Sequence, residues 1–296
     1  MEQDVFNTDR PLLFSIAYRM LGSASDAEDV LQDAWLRYRA ADRSSIRSPK
    51  AFATTIVTRL CLDRLKSAKT KREEYIGPWL PEPVLTSEVE GPEAMLQRAE
   101  SVTLAFLVLL EKLSPEERAV LLLKDVFQYD HAEIGEMLGI SVESSRQLLH
   151  RAKTHLSAGR PHLTGTAESR RAVAERFARA FSSGDASALT SLLAKDVGMW
   201  SDGGGKATAS RRPLIGREQV MNLLVGLYRS AKNSGILPDV TMRLEDVNSE
   251  PALVLRVGTR LQSLFVFEID GDAIAGIRVV LNPDKLARLD RQLTVH

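Results

Sequence analysis

The stretch YIGPWLPEPVLTSEVEGPEA, residues 75–94, carries four prolines and two glycines. No helix runs through such a segment, because proline lacks the N–H that the helix ladder needs and its ring clashes with the preceding turn. The segment therefore separates two helical regions, and it reads as a linker over 75–100 with partial polyproline-II character. At 296 residues the chain has room for two or three domains.

Before the linker, apolar residues recur at helical spacing. DRPLLFSIAYRMLG, 9–22, ends in Gly22, a suitable C-cap. SASDAEDVLQDAWLRYRAA follows, with Ser25 as expected N-cap, Glu28 three residues on, and an apolar stripe of Ala27, Val30, Leu31, Ala34 and Trp35. Ser48-Pro49 opens a third helix through AFATTIVTRLCLDRLKSAKTKRE. After the linker a helix is expected to resume near Leu96 and run to Leu113. Ser114-Pro115-Glu116-Glu117 is a capping box for the next, and Asp130 caps HAEIGEML. Gly139 breaks that helix and Ser141 caps VESSRQLLHRAKTHL. GRPHLTG, 159–165, is a second short linker. Beyond it come three amphipathic helices and then period-2 runs VTMRLEDV, ALVLRVG, LFVFEID and AIAGIRVVL, with Asp270-Gly271 as a hairpin turn. This last part is expected to be α+β, with helices covering a curved antiparallel sheet.

A single cysteine, Cys61, excludes a disulfide framework and a cysteine-based zinc site within one chain and fits a reducing cytoplasm. No metal or cofactor is expected. The N-terminus has no signal-peptide apolar core, and no apolar run approaches the roughly 20 residues of a membrane span. Residues 1–165 hold 21 Lys and Arg against 24 Asp and Glu, so nucleic acid would be met through local basic patches and not by a general polycation.

Residues 130–156 form a helix-turn-helix pattern. The second helix begins with Glu143, Ser144, Ser145, Arg146 and Gln147, small and polar groups able to enter a major groove. Arg146 and Gln147 suit guanine and adenine edges, and His150, Arg151 and Lys153 suit phosphates. The expected buried face is Val142, Leu148, Leu149 and Ala152. In the first region, Asp26, Glu28, Asp29 and Asp33 make one helix acidic without a compensating base, while the next helix ends in Arg64, Lys66, Lys69, Lys71 and Arg72. A protein partner on one face and nucleic acid on the other is the reading.

Together these motifs resemble bacterial sigma factors. DAEDVLQDAWLRYR is similar to their polymerase-binding helix, SPKAFATTIVTRLCLDRLKSAKTKRE to the promoter −10 helix, and 113–156 to region 4, which reads the −35 element. The order resembles the extracytoplasmic-function type, with region 2 over 1–74 and region 4 over 101–160. The resemblance implies that Asp26, Glu28, Asp29, Gln32 and Asp33 contact core RNA polymerase. It implies that Arg59, Asp63, Arg64, Lys66 and Lys69 lie near the melted −10 strand, and that Ser144, Ser145, Arg146, Gln147, His150, Arg151 and Lys153 face −35 DNA. Arg59 stands where that family commonly has asparagine, and Gln147-Leu148 replaces the usual Ser-Arg; both bear on the promoter sequence and not on the class.

Three further stretches, WLPEP (Trp79, Leu80, Pro81, Glu82, Pro83), DGGGK (Asp202, Gly203, Gly204, Gly205, Lys206) and NPDKL (Asn282, Pro283, Asp284, Lys285, Leu286), resemble those of sigma-J-like factors carrying a C-terminal SnoaL-like domain, here 167–296. DGGGK lacks the spacing and following helix of a phosphate loop, and a tight turn joining two strands is expected instead. The resemblance implies a cone with an apolar pocket open to a small-molecule ligand, Asp202 and Trp200 being candidates for its mouth, and a domain that modulates the sigma regions in cis. WLPEP is expected to dock near DGGGK and NPDKL. A paired catalytic acid and base is not evident, so an enzyme is not expected; a ligand-responsive DNA-binding regulator and a pocket enzyme fused to a DNA-binding module remain the alternatives.

Overall fold

The computed structural model describes residues 4–42, 46, 48–89, 102–157 and 165–294. The chain forms two compact units, one of Met1–Glu74 with Ser87–Arg160 and one of Tyr75–Thr86 with Pro161–His296. The resumption of helix near Leu96 and most of the 159–165 linker lie outside the described residues.

The first unit is all helical. Its elements are α1 (Asp4–Thr8), α2 (Arg10–Leu21), α3 (Ala24–Ala40) and α4 (Pro49–Glu73), then α5 (Leu104–Leu110), α6 (Pro115–Leu121), α7 (His131–Leu138) and α8 (Val142–Ser157). The local chemistry explains the boundaries. Gly22 takes the left-handed conformation and its N–H bonds Tyr18 O. The N-cap of α3 is Ser23, whose hydroxyl accepts from the Asp26 N–H; the expected cap, Ser25, sits inside the first turn. Ser114 with Glu117, and Asp130 with Glu133, close reciprocal capping boxes. At its end α6 widens into a π-helical turn, Leu122–Val126.

Helices α2, α3 and α4 bury Leu13, Ile16, Tyr18, Val30, Val57 and Cys61 among others. Full burial pushes the Cys61 thiol up, well above the usual thiol range. Native protein is therefore expected to resist iodoacetamide at pH 8 while the unfolded chain is alkylated at the rate of a free thiol. Peptide mass spectrometry reads the difference, and rapid native labelling would mean that the α4 core opens readily.

The helix-turn-helix has its own small core of Val120, Leu123, Ile134 and Met137, with Leu148 and Leu149 packed on it. A Cβ on Gly135 would lie 2.8 Å from Ile140 O, so the tight approach of the turn to α7 requires glycine there. Val142 does not join this core; it is 38% exposed at the first position of α8.

The second unit is α+β. Its elements are α9 (Ala167–Ser183), α10 (Ala186–Leu192), β1 (Leu193–Asp202), β2 (Leu214–Ile215), α11 (Arg217–Asn233), β3 (Val240–Val247), β4 (Glu250–Val257), β5 (Arg260–Asp270), β6 (Ala273–Val280) and α12 (Pro283–Thr294). The strand order is β2-β1-β6-β5-β4-β3. The sheet is mixed and not purely antiparallel, because β1 pairs parallel with β6, Trp200 opposite Arg278 and Asp202 opposite Val280. β1 is hidden in the sequence because it follows α10 with no turn residue between them. One face of the sheet packs on α9, α10 and α11 through Phe177, Phe181, Leu189, Leu224, Phe265 and Phe267. The parallel β1–β6 pair sets the ends of both strands side by side, which is where the linker binds.

Candidate nucleic-acid interface and linker cradle

On α3, Asp26, Gln32 and Asp33 are exposed, and Glu28 and Asp29 border a groove of about 350 Å³ with Phe6, Gln32 and Trp35. The acidic face is not without a base. Arg64 of α4 donates to Asp26 Oδ1 at 2.6 Å and reaches Asp29 Oδ2 at 3.4 Å, and Arg10 pairs with Glu28. Helical periodicity within one segment could not show that a neighbouring helix supplies the counter-charge.

The −10 candidates are likewise engaged. Arg59 donates from Nε to Met137 O at 2.8 Å and from Nη2 to Glu136 O at 3.4 Å, meeting carbonyls at the C-terminal end of α7 that have no partner within their helix. Lys66 pairs with Glu116 at 3.0 Å. Asp63 is exposed, and the side chain of Lys69 lies outside the described residues. Of this set, then, Arg59, Arg64 and Lys66 bond neighbouring helices in this structure, while Arg59 and Lys66 remain exposed.

On α8, Arg146, Gln147, His150, Arg151 and Lys153 are exposed and Ser144 is half-buried. Ser145 is the exception. It is fully buried with its hydroxyl 2.9 Å from His131 Nδ1, so it fixes the angle of α7 to α8 and does not face a groove. Glu143 lies 3.8 Å from Arg146, and Lys153 pairs with Asp125 at 3.0 Å. Exposed pairs of this kind contribute little to stability and exchange readily for phosphate.

The second unit brings WLPEP, DGGGK and NPDKL into one site. Asp202, at the end of β1, is wholly buried. It accepts from the Tyr75 hydroxyl at 2.6 Å, the Leu80 N–H at 2.8 Å and Lys285 Nζ at 2.7 Å. Lys285 also donates to Leu80 O and lies over the rings of Trp79 and Tyr75, 4.4 and 4.8 Å from their centroids. Asn282 donates to the Tyr75 hydroxyl at 2.9 Å, its backbone N–H bonds Asp202 O, and its Oδ1 accepts from the Asp284 N–H. Lys206 and Asp284 close an ion pair at the rim. Burial, and the Asp202 carboxylate that accepts its hydrogen bond, push the Tyr75 phenol up, so it remains a donor at neutral pH.

The glycines of DGGGK now have a reason. Gly204 and Gly205 adopt φ of 57° and 72° in the turn that links β1 toward β2. A Cβ on Gly204 would lie 2.2 Å from Asn282 Nδ2 and 2.8 Å from the Tyr75 oxygen, and one on Gly205 would lie 2.9 Å from Ile76 Cδ1. The linker lies where those side chains would be. Leu80, Pro81, Glu82, Pro83 and Val84 are buried, as is Leu286, while Pro283 is half-buried. Val84 exchanges hydrogen bonds with Asn248, and Leu85 bridges Val247 on the edge strand β3. Tyr75 and Asn248 were not among the residues singled out in the sequence; the position of Tyr75 beside Gly77-Pro78, next to WLPEP, was the available signal.

Asp202 and Trp200 do not line the pocket. They lie on the face of the sheet opposite a cavity of about 910 Å³, which Met199 and Ser201 line instead. Among the described residues, those around that cavity include no Asp, Glu, His or Cys that could form an acid–base pair in it.

The sigma-70 region 2 model matches residues 5–71 and the sigma-70 region 4 model matches residues 103–156. The chain is 39% identical over 231 residues to the ECF RNA polymerase sigma factor SigJ of Mycobacterium tuberculosis, covering 77% of this chain and 74% of that one. It belongs to the extracytoplasmic function (ECF) RNA polymerase sigma factors. The sigma factor is also 28% identical over 287 residues to a probable ECF sigma factor, SigI, of the same organism, spanning 96% of this chain and 94% of the relative. The crystal structure of M. tuberculosis SigJ superposes with a TM-score of 0.75 at 32% identity, covering 95% of this sigma factor and 97% of that chain. Sigma factors bind core RNA polymerase and direct it to promoters; they are not enzymes. No described helix of this one is long and apolar enough to cross a membrane.

Proposed function

We propose that this sigma factor initiates transcription in the cytoplasm under control of its own C-terminal domain, exerted through the linker. Asp26, Asp29, Gln32 and Asp33 on α3 serve as the polymerase-facing surface, with Glu28 at its edge. The exposed residues of α8, from Ser144 to Lys153 but without Ser145, serve −35 reading. The α4 face with Arg59, Asp63 and Lys66 serves the −10 strand once its bonds to α7 and α6 open. The cavity of the second unit serves a small molecule.

The observation that carries this reading is the buried Asp202–Lys285 pair gripping the backbone of Leu80 from both sides, N–H and C=O. A segment joining two promoter-reading regions has no need of a buried ion pair unless its position matters. Docking removes slack from that segment, and so limits how the two regions can be presented to DNA.

Run-off transcription with core RNA polymerase tests it, using the full chain and its Trp79→Ala and Lys285→Met variants on a promoter library. Either variant should change initiation at least threefold while circular dichroism shows a folded chain. Unchanged initiation by both would end the regulatory reading.

A further inference from the structure

We infer that the cavity of the second unit binds an uncharged, lipophilic small molecule, and that its occupancy is transmitted to the docked linker. This deepens the regulatory reading above and rests on it. The cavity, about 910 Å³, lies between the sheet face of β1, β3, β4, β5 and β6 and the helices α9 and α11. Protein interiors hold few voids larger than a water molecule, whereas this one is of a size that encloses most of a drug-sized ligand. Leu223, Met242 and Leu255 sit at core-facing positions yet remain only half-buried, because the side facing the cavity has nothing against it.

The lining sets the chemistry. Among the described residues, Arg179, whose exposed guanidinium faces Glu175 at 4.0 Å, is the one charged residue that borders the cavity. A charged occupant would be desolvated without a counter-ion. Ser201, Thr208, Ser210, Tyr228, Gln262 and Ser263 are among the uncharged polar residues on a mostly apolar wall, matching a neutral molecule with a few hydroxyl or carbonyl groups.

The coupling follows from strand alternation. Ser201 lines the cavity and its neighbour Asp202 holds the linker; Leu281 lines the cavity and its neighbour Asn282 bonds Tyr75. The loop after β1 repeats this, with Thr208, Ala209 and Ser210 on the cavity and Gly204 and Gly205 under Tyr75 and Ile76. A ligand cannot press on this wall without moving the backbone that carries the cradle.

The test uses the full chain and Nile red as a neutral lipophilic probe. Saturable one-site fluorescence enhancement is expected, with affinity reduced at least tenfold in Ala178→Phe and Ala231→Phe, which fill the cavity from two different helices. Hydrogen exchange of the 75–86 peptide should change at least threefold on probe binding, reporting the Leu80 and Val84 amides. Absence of saturable binding, or equal binding by whichever filled variants retain native circular dichroism, would overturn the site. Should neither variant fold, displacement of the probe's protection from peptides 199–210 and 223–231 decides the location. Cavity binding with unchanged 75–86 exchange would overturn the coupling. Unchanged transcription by both Trp79→Ala and Lys285→Met would instead remove the regulatory reading and leave the binding result standing, so the two failures are distinguishable.

Discussion

Replacing Asp202 by alanine is expected to cost the second unit about 3–5 kcal/mol, the range for removing one partner of a buried ion pair. Three donors lose their acceptor at once. The Lys285 ammonium, with its side chain 13% exposed, is left without its counter-ion, and the Tyr75 hydroxyl and Leu80 N–H lose their bonds. A fall in Tm on the order of 10 °C should result for a unit of this size, and exchange at the Leu80 amide should rise by orders of magnitude. Lys285→Met on its own should also destabilise, since it strands a buried carboxylate. The double variant should be less damaged than the sum of the single changes, because the second removes the charge that the first orphaned. Additive losses would mean that the two groups act separately and that the short contact between them has little energetic weight.

Arg118 is the corresponding point in the first unit. It is 3% exposed, donates to Met20 O and Leu110 O, each at 2.7 Å, and pairs with Glu111 at 2.8 Å. Burial lowers its pKa to about 10, so it stays charged at neutral pH. The residue ties the end of α2 to α5 and α6. Arg118→Leu should cost about 3–5 kcal/mol, since a buried ion pair is broken and Met20 O and Leu110 O each lose a bond from a charged donor. Lysine should not restore it, because an ammonium lacks the planar fork that reaches acceptors on different sides. Chemical denaturation of the full chain, read by helix content, measures both. A loss under about 1 kcal/mol would mean that water replaces the guanidinium.

Much of this architecture is legible in the sequence because it rests on local rules. Pro49, Ser114, Asp130 and Gly139 mark helix ends by their own chemistry, and the four period-2 runs became β3 to β6. The motifs WLPEP, DGGGK and NPDKL could be expected to meet from their resemblance to those of sigma-J-like factors and from Trp79, an aromatic costly to leave exposed between prolines. What was not legible depends on distant partners. The acidity of α3 is offset by Arg64, which is 38 residues away from Asp26. Ser145 has the spacing of a groove-facing residue but is claimed by His131. Asp202 looked like a pocket residue until the parity of β1, a strand hidden behind α10, placed it on the other face. Tyr75 is an unremarkable residue in the sequence, and only the strand ends of β1 and β6 give its hydroxyl two partners.

The most direct measurement of the central claim is initiation by the full chain and by Asp202→Ala on promoters whose −35 to −10 spacer is varied one base pair at a time. A docked linker limits the reach between the two reading regions, so the intact sigma factor should show a sharp optimum in spacer length. The released variant should show a broader one, with output on off-optimum spacers raised at least threefold relative to its own maximum. Superimposable spacer profiles from the two proteins, with the linker shown by exchange to be free in the variant, would contradict the account.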